Sequence, residues 1–130
     1  MTILVAYVPR PEGKAALDKG IEIASRRKER LVVVNASPGG IKDDPSMADV
    51  QDVERVEQLL SGSGVDATFK QFVRGKSAIE EIEEMVDSLR VSLLIIGLRK
   101  RTPVGKLFLG SVAQEILLSV PCPVLAVKAI

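Results

Sequence analysis

TILVAYVPRPEGKAALDKGIEIASRRKERLVVVNA, residues 2 to 36, opens and closes on apolar runs that do not alternate with polar residues. Thr2 to Val8 is rich in branched side chains and is closed by Pro9-Arg10-Pro11. Such a run suits a strand buried on both faces, as parallel sheets require. From Pro11 to Glu29 the period becomes helical: Leu17, Ile21 and Ala24 recur on one face, with Ala16, Gly20 and Ile23 beside them. Arg26-Arg27-Lys28 falls in the last turn, where cations complement the negative end of the helix dipole. Leu31 to Ala36 is then a second buried strand. Strand, helix and strand in this order form the unit of a parallel sheet with a right-handed crossover.

The same alternation continues to the end of the chain. After Ser37-Pro38-Gly39-Gly40, Ser46 is the expected helix cap, and Val50, Val53, Val56 and Leu60 give one apolar face. Val65 to Val73 is the most polar strand, with Ala67, Phe69 and Gln71 on one face, which suits a sheet edge. Ser77 opens a third helix with a core face of Ile79, Ile82, Val86 and Leu89. Its acids Glu80, Glu81, Glu83 and Glu84 are expected on a solvated face rather than around a metal. Ser92 to Gly97 is the most apolar strand and is expected at the centre of the sheet. A basic loop, Leu98 to Leu109, leads to a fourth helix opened by Gly110-Ser111 and carrying Val112, Ala113, Ile116, Leu117 and Val120. Pro121-Cys122-Pro123 breaks it, and Val124 to Val127 is the last strand. The expectation is one α/β domain over residues 1–130, a doubly wound five-stranded parallel sheet with helices on both faces.

Composition narrows the function. With no His and one Cys among 130 residues, the usual zinc sites, a Ser-His-Asp triad and a Cys-His dyad are excluded. A net charge of +1 gives no reason to expect nucleic acid or an anionic membrane as partner, and aromatic residues at 3% supply no base-stacking platform. No run approaches the roughly 20 apolar residues of a membrane helix, and the first residues carry no basic leader, so a cytoplasmic protein is expected. Cys122 reads as a structural thiol at a helix-to-strand junction.

In doubly wound sheets ligands bind beyond the carboxyl ends of the strands, where the strand order reverses. The loop after the fourth strand carries Arg99, Lys100, Arg101 and Lys106 with no acid among them, and then Gly110-Ser111 at a helix start. Cations beside free backbone N–H groups form an anion site suited to phosphate. It is not a Walker A loop, because Lys100 stands where the first glycine belongs and Leu107 follows Gly105-Lys106. Nor does Pro9-Arg10-Pro11-Glu12-Gly13 match the dinucleotide fingerprint. Asp43 and Asp44 are the only acids to nominate for a hydrolytic role, and no general base is evident in the basic loop.

The segment Leu93 to Lys128, LLIIGLRKRTPVGKLFLGSVAQEILLSVPCPVLAVK, closely resembles the C-terminal half of the universal stress protein family (UspA domain). The nucleotide-binding branch of that family carries G-x2-G-x9-G-[ST] after the fourth strand. Gly97 matches its first glycine and Gly110-Ser111 its last pair, whereas Lys100 stands at the second glycine. The family's acidic residue near the end of the first strand is replaced by Val8. The glycine-to-lysine change costs about 1–2 kcal/mol if a positive φ is needed there, and the added cation can return a similar amount on a phosphate. The missing acid removes a hydrogen bond of about 1 kcal/mol.

The resemblance implies an adenine nucleotide alpha hydrolase-like fold binding ATP or another adenine nucleotide, with Mg accompanying it. Its contacts would be Ala6, Val8 and Ala36 near the nucleoside, and Gly97, Arg99, Lys100, Lys106, Gly110, Ser111 and Val112 around ribose and phosphates. It also implies a homodimer built by the last strand, Val124, Leu125, Ala126, Val127 and Lys128, and an apolar terminal strand left at an edge would invite aggregation. The implied role is stress-response regulation, through a protein partner, rather than turnover beyond slow nucleotide hydrolysis. The other branch of the family is a dimeric stress protein that acts through protein contacts without nucleotide.

Overall fold

The computed structural model describes residues 1–37, 39–40, 44–98 and 111–129. Among these described residues five strands alternate with four helices: β1 (Thr2–Ala6), α1 (Pro11–Arg27), β2 (Arg30–Ser37), α2 (Val50–Ser61), β3 (Ala67–Val73), α3 (Ala78–Ser88), β4 (Val91–Leu98), α4 (Ser111–Ser119) and β5 (Val124–Lys128). All the strand pairs are parallel and the order is β3-β2-β1-β4-β5. The expected doubly wound α/β sheet is therefore present. The middle position belongs to β1 rather than to β4, which lies beside it. Both are buried on two faces, so apolarity alone could not rank them.

Alternate residues of each strand feed two separate cores. Ile3, Val5, Leu31, Val33 and Ile95 pack with Ala16 and Leu17 of α1 and Val56 and Leu60 of α2. Leu4, Val32, Val34, Leu94 and Ile96 pack with Ile82, Met85 and Val86 of α3 and Ile116 of α4. On α4, Val112, Leu117 and Leu118 are exposed, so the apolar face expected there is narrower than its composition implies.

Helix ends follow local chemistry. Pro11 starts α1, and Lys28 ends it in the left-handed region at φ 56°, its N–H donating to the Ala24 carbonyl. The cap of α2 is Asp49, paired reciprocally with Asp52, and not Ser46. Ser46 is already engaged, its N–H and hydroxyl both donating to Asp44. Val50, expected on the apolar face, is consequently the first residue of the helix and is exposed. Ser77 and Glu80 form the same reciprocal cap on α3.

The acids of α3 do not share one solvated face. Glu80, Glu83 and Glu84 are exposed, but Glu81 is only 1% exposed. It lies one residue before Ile82 and four before Met85, inside the buried stripe of the helix. Arg74 satisfies it with two donors, Nε to Oε2 at 2.8 Å and Nη2 to Oε1 at 2.7 Å, while its guanidinium also stacks 4.4 Å from the Phe72 ring centre.

Candidate functional site

The strand order reverses between β1 and β4, so the crevice forms at their carboxyl ends. Tyr7 extends β1 by one hydrogen bond, its N–H donating to the Val34 carbonyl at 2.8 Å. The chain then turns sharply, with the Arg10 N–H donating to the Val8 carbonyl at 2.8 Å. That carbonyl lies against Gly13, where any Cβ would collide with it. The loop after β1 thus packs directly against the first turn of α1.

The start of α1 leans on β4. A Cβ on Gly97 would run into the carbonyl oxygen of Glu12, so the absence of a side chain there lets helix and strand meet. Gly97, expected as a ligand contact, has this packing role on the α1 side of the sheet. Ala6 and Ala36 lie on the opposite side, in the core shared with Ala113 of α4. Ala6 sits opposite Val34 in the β1–β2 register, two residues before Ala36. Two small side chains thus end adjacent strands on the face where α4 begins. Val8 is half-buried in the loop beyond β1, Ser111 is the first residue of α4, and Val112 is exposed. Arg99, Lys100, Arg101, Lys106, Gly110 and Asp43 lie outside the described residues.

Two polar hubs, neither evident from sequence patterns, shape the wall of the crevice beyond β2. Asn35 is fully buried and spends its whole amide. Its Nδ2 donates to the carbonyls of Tyr7 at 3.0 Å and Ser46 at 2.7 Å. Its Oδ1 accepts from the Ala48 N–H at 2.9 Å and from Gln71 Nε2 at 3.0 Å. One side chain therefore ties together β1, β2, β3 and the chain leading to α2. The second hub is Asp44. The Ser37 hydroxyl donates to Oδ2 at 2.6 Å, and the Ser46 N–H and hydroxyl donate to Oδ1 at 3.0 and 2.7 Å. These donors, Ser37 first, hold its carboxyl below the ordinary carboxylate value, with a smaller contribution from the charge of Arg10. The only hint in the sequence was a lone amide closing an otherwise apolar strand.

Away from the crevice, a shallow recess of about 170 Å³ lies between α1 and α2 over Tyr7, lined by Leu17, Val56 and Leu59 with Lys14, Asp18 and Arg55. Burial, then the charge of Asp52, pushes the Tyr7 hydroxyl up from its ordinary pKa. Burial likewise raises the Cys122 thiol, the opposite of a reactive thiolate. Among the described residues no group of three or more His, Cys, Asp or Glu side chains could hold a metal ion, and no helix is long and apolar enough to cross a membrane.

The universal stress protein family model matches residues 1–128. The chain belongs to the universal stress protein family. It is 48% identical over 126 residues to a universal stress protein of Mycolicibacterium smegmatis, covering 97% of this chain and 96% of that relative. Its structure is similar to that of a universal stress protein from Archaeoglobus fulgidus, with a TM-score of 0.80, 27% identity, and coverage of 98% of this chain and 97% of that one. The fold also matches an Archaeoglobus fulgidus universal stress protein solved in complex with dAMP, at a TM-score of 0.73 and 22% identity over 98% of this chain and 96% of that one. For this universal stress protein, membership agrees with the five-stranded order and with the crevice between β1 and β4.

Proposed function

We propose that this universal stress protein binds an adenine nucleotide, ATP or a close relative, in the crevice beyond β1, β2 and β4. The observation that carries the reading is the pair Ala6 and Ala36, small side chains ending adjacent strands on the face where α4 begins. That arrangement suits a flat base beside the strand ends and phosphates at the start of α4. Gly110-Ser111 and the cations Arg99, Lys100 and Lys106 supply the anion-binding chemistry by their place in the chain. The Archaeoglobus fulgidus relative solved with dAMP supports the same ligand class. Val8 offers no carboxylate to the nucleoside, so affinity is lower than in relatives that keep an acid there.

The role is regulatory rather than catalytic. Asp44, the described acid nominated for hydrolysis, has its carboxylate oxygens engaged by Ser37 and Ser46 and is held ionised by them, which leaves it a poor proton acceptor. Any Mg would arrive on the phosphates. Bound nucleotide would engage the 98–109 loop and change the surface offered to a protein partner, with the protein as a cytoplasmic homodimer paired through β5. A second reading, a dimeric stress protein acting without nucleotide, is favoured by one feature: Gly97 is already filled against Glu12.

Calorimetric titration with ATP and Mg tests the reading. The wild type gives saturable binding, and Gly110→Asp, which opposes phosphate with a carboxylate, lowers affinity at least tenfold. Equal affinity in that variant removes the phosphate site from this loop. Absence of binding in the wild type leaves the second reading.

A further inference from the structure

Among the described residues, the two non-glycine residues with a positive φ are both cations. Lys28 ends α1 at φ 56°, and Arg90 follows α3 at φ 51°. The left-handed region crowds a β-carbon, and glycine is the residue that suits it at a helix end. Lysine and arginine therefore stand there against local preference. Both are exposed, and they precede β2 and β4, the two strands that flank β1. Arg30, the first residue of β2, is exposed too. It lies opposite Thr2 of β1, whose partner on the other side is Val91, directly after Arg90. Two strand spacings put the backbones of Arg30 and Val91 about 10 Å apart.

Because the strands are parallel, these cations gather at the end of the sheet opposite the crevice. Glu22 pairs with Lys19 and Arg26, and Glu29 with Arg27. Asp66 and Asp87 meet this end through their carbonyls, which accept from the Leu31 and Arg90 N–H groups. Among the described residues no acid lies within ion-pair distance of Lys28, Arg30 or Arg90. The uniform negative charge of a nucleic acid duplex or an anionic membrane would be pressed onto the exposed Asp66 and Asp87 as well. A short protein segment can pass those acids by and still place carboxylates on separated cations, since residues three apart in an extended chain span about 10 Å. We propose that the amino end of the sheet docks an acidic, extended segment of a partner protein, anchored by Lys28, Arg30 and Arg90. This docking is independent of nucleotide in the crevice.

The test is fluorescence anisotropy with a labelled oligo-glutamate peptide. The wild type binds the peptide, and more weakly as salt rises, because exposed charges are screened. Combining Lys28→Gly with Arg90→Gly supplies the residue that the backbone favours at both positions, and lowers peptide affinity about tenfold or more. Arg30→Gln, an exposed change at the start of β2, also weakens binding and serves alone if the glycine variant does not fold. Unchanged affinity in these variants overturns the proposal, because the peptide is then held elsewhere, the cationic stretch after β4 included. Tighter binding of a short DNA duplex or of phosphatidylserine vesicles than of the peptide overturns it in favour of those partners. Absence of peptide binding by the wild type at low salt overturns it outright, and none of these outcomes bears on nucleotide binding.

Discussion

Asn35 illustrates how much of the crevice hangs on single side chains. Its amide makes four hydrogen bonds from a fully buried position, two as donor and two as acceptor. Asn35→Ala strips partners from the Tyr7 and Ser46 carbonyls and the Ala48 N–H together. We expect a loss of about 3 kcal/mol in urea unfolding, well above the cost of an ordinary surface substitution. Asp44 gives a prediction in pH. Its folded pKa lies below the ordinary carboxylate value of 3.8, so its hydrogen bonds stabilise the fold above that pH and fade as pH falls through the lower folded value. Melting temperatures of the wild type and Asp44→Asn should differ at neutral pH and converge in acid. A constant gap across that range would assign the effect of Asp44 to packing instead.

At the scale of elements, the tightest constraint is the contact between the start of α1 and the end of β4. Gly97→Ala pushes a methyl group into the Glu12 backbone, and because both partners are main chain there is no flexible end to yield. Overpacking of this kind costs about 1–3 kcal/mol, measurable by denaturant unfolding without any ligand. The element order, the edge position of β3 and the core faces of α1 were legible in the sequence, because period and branching report burial directly. The cap of α2 was not. Ser46 and Asp49 both suit a cap, and the choice between them depends on Asp44, which draws Ser46 away. Glu81 was misread for a related reason: its partner Arg74 arrives from β3's far end, seven residues away, and no helical periodicity registers it. At the crevice, Gly97 stands out by spacing in the sequence, whereas its packing against the Glu12 backbone and the hydrogen bonds of Asn35 acquire meaning only once strands and helix are brought together.

At the scale of the whole molecule, the two edge strands of the sheet, β3 and β5, differ in character. β3 carries Thr68, Lys70 and Gln71, a polar edge that resists pairing. β5 is Val124 to Lys128, half-buried along most of its length. The Leu94 N–H donates to the Pro123 carbonyl, so parallel pairing directs alternate residues inward and leaves the backbone groups of Ala126 on the outer edge. If β5 joins two copies, Ala126→Pro removes an outward donor and shifts the protein to monomers in analytical ultracentrifugation, while the inner ladder to β4 survives. A wild type that is monomeric at micromolar concentration would contradict the dimer. The most direct test of the central claim is native mass spectrometry of the protein titrated with ATP and Mg, paired with a thermal melt on the same samples. Nucleotide binding predicts a mass increment of one nucleotide per chain, and at about a hundred times the dissociation constant a stabilisation of about 2.7 kcal/mol, which raises the melting temperature by several degrees. A protein that gains no mass and melts at the same temperature at millimolar ATP would contradict it.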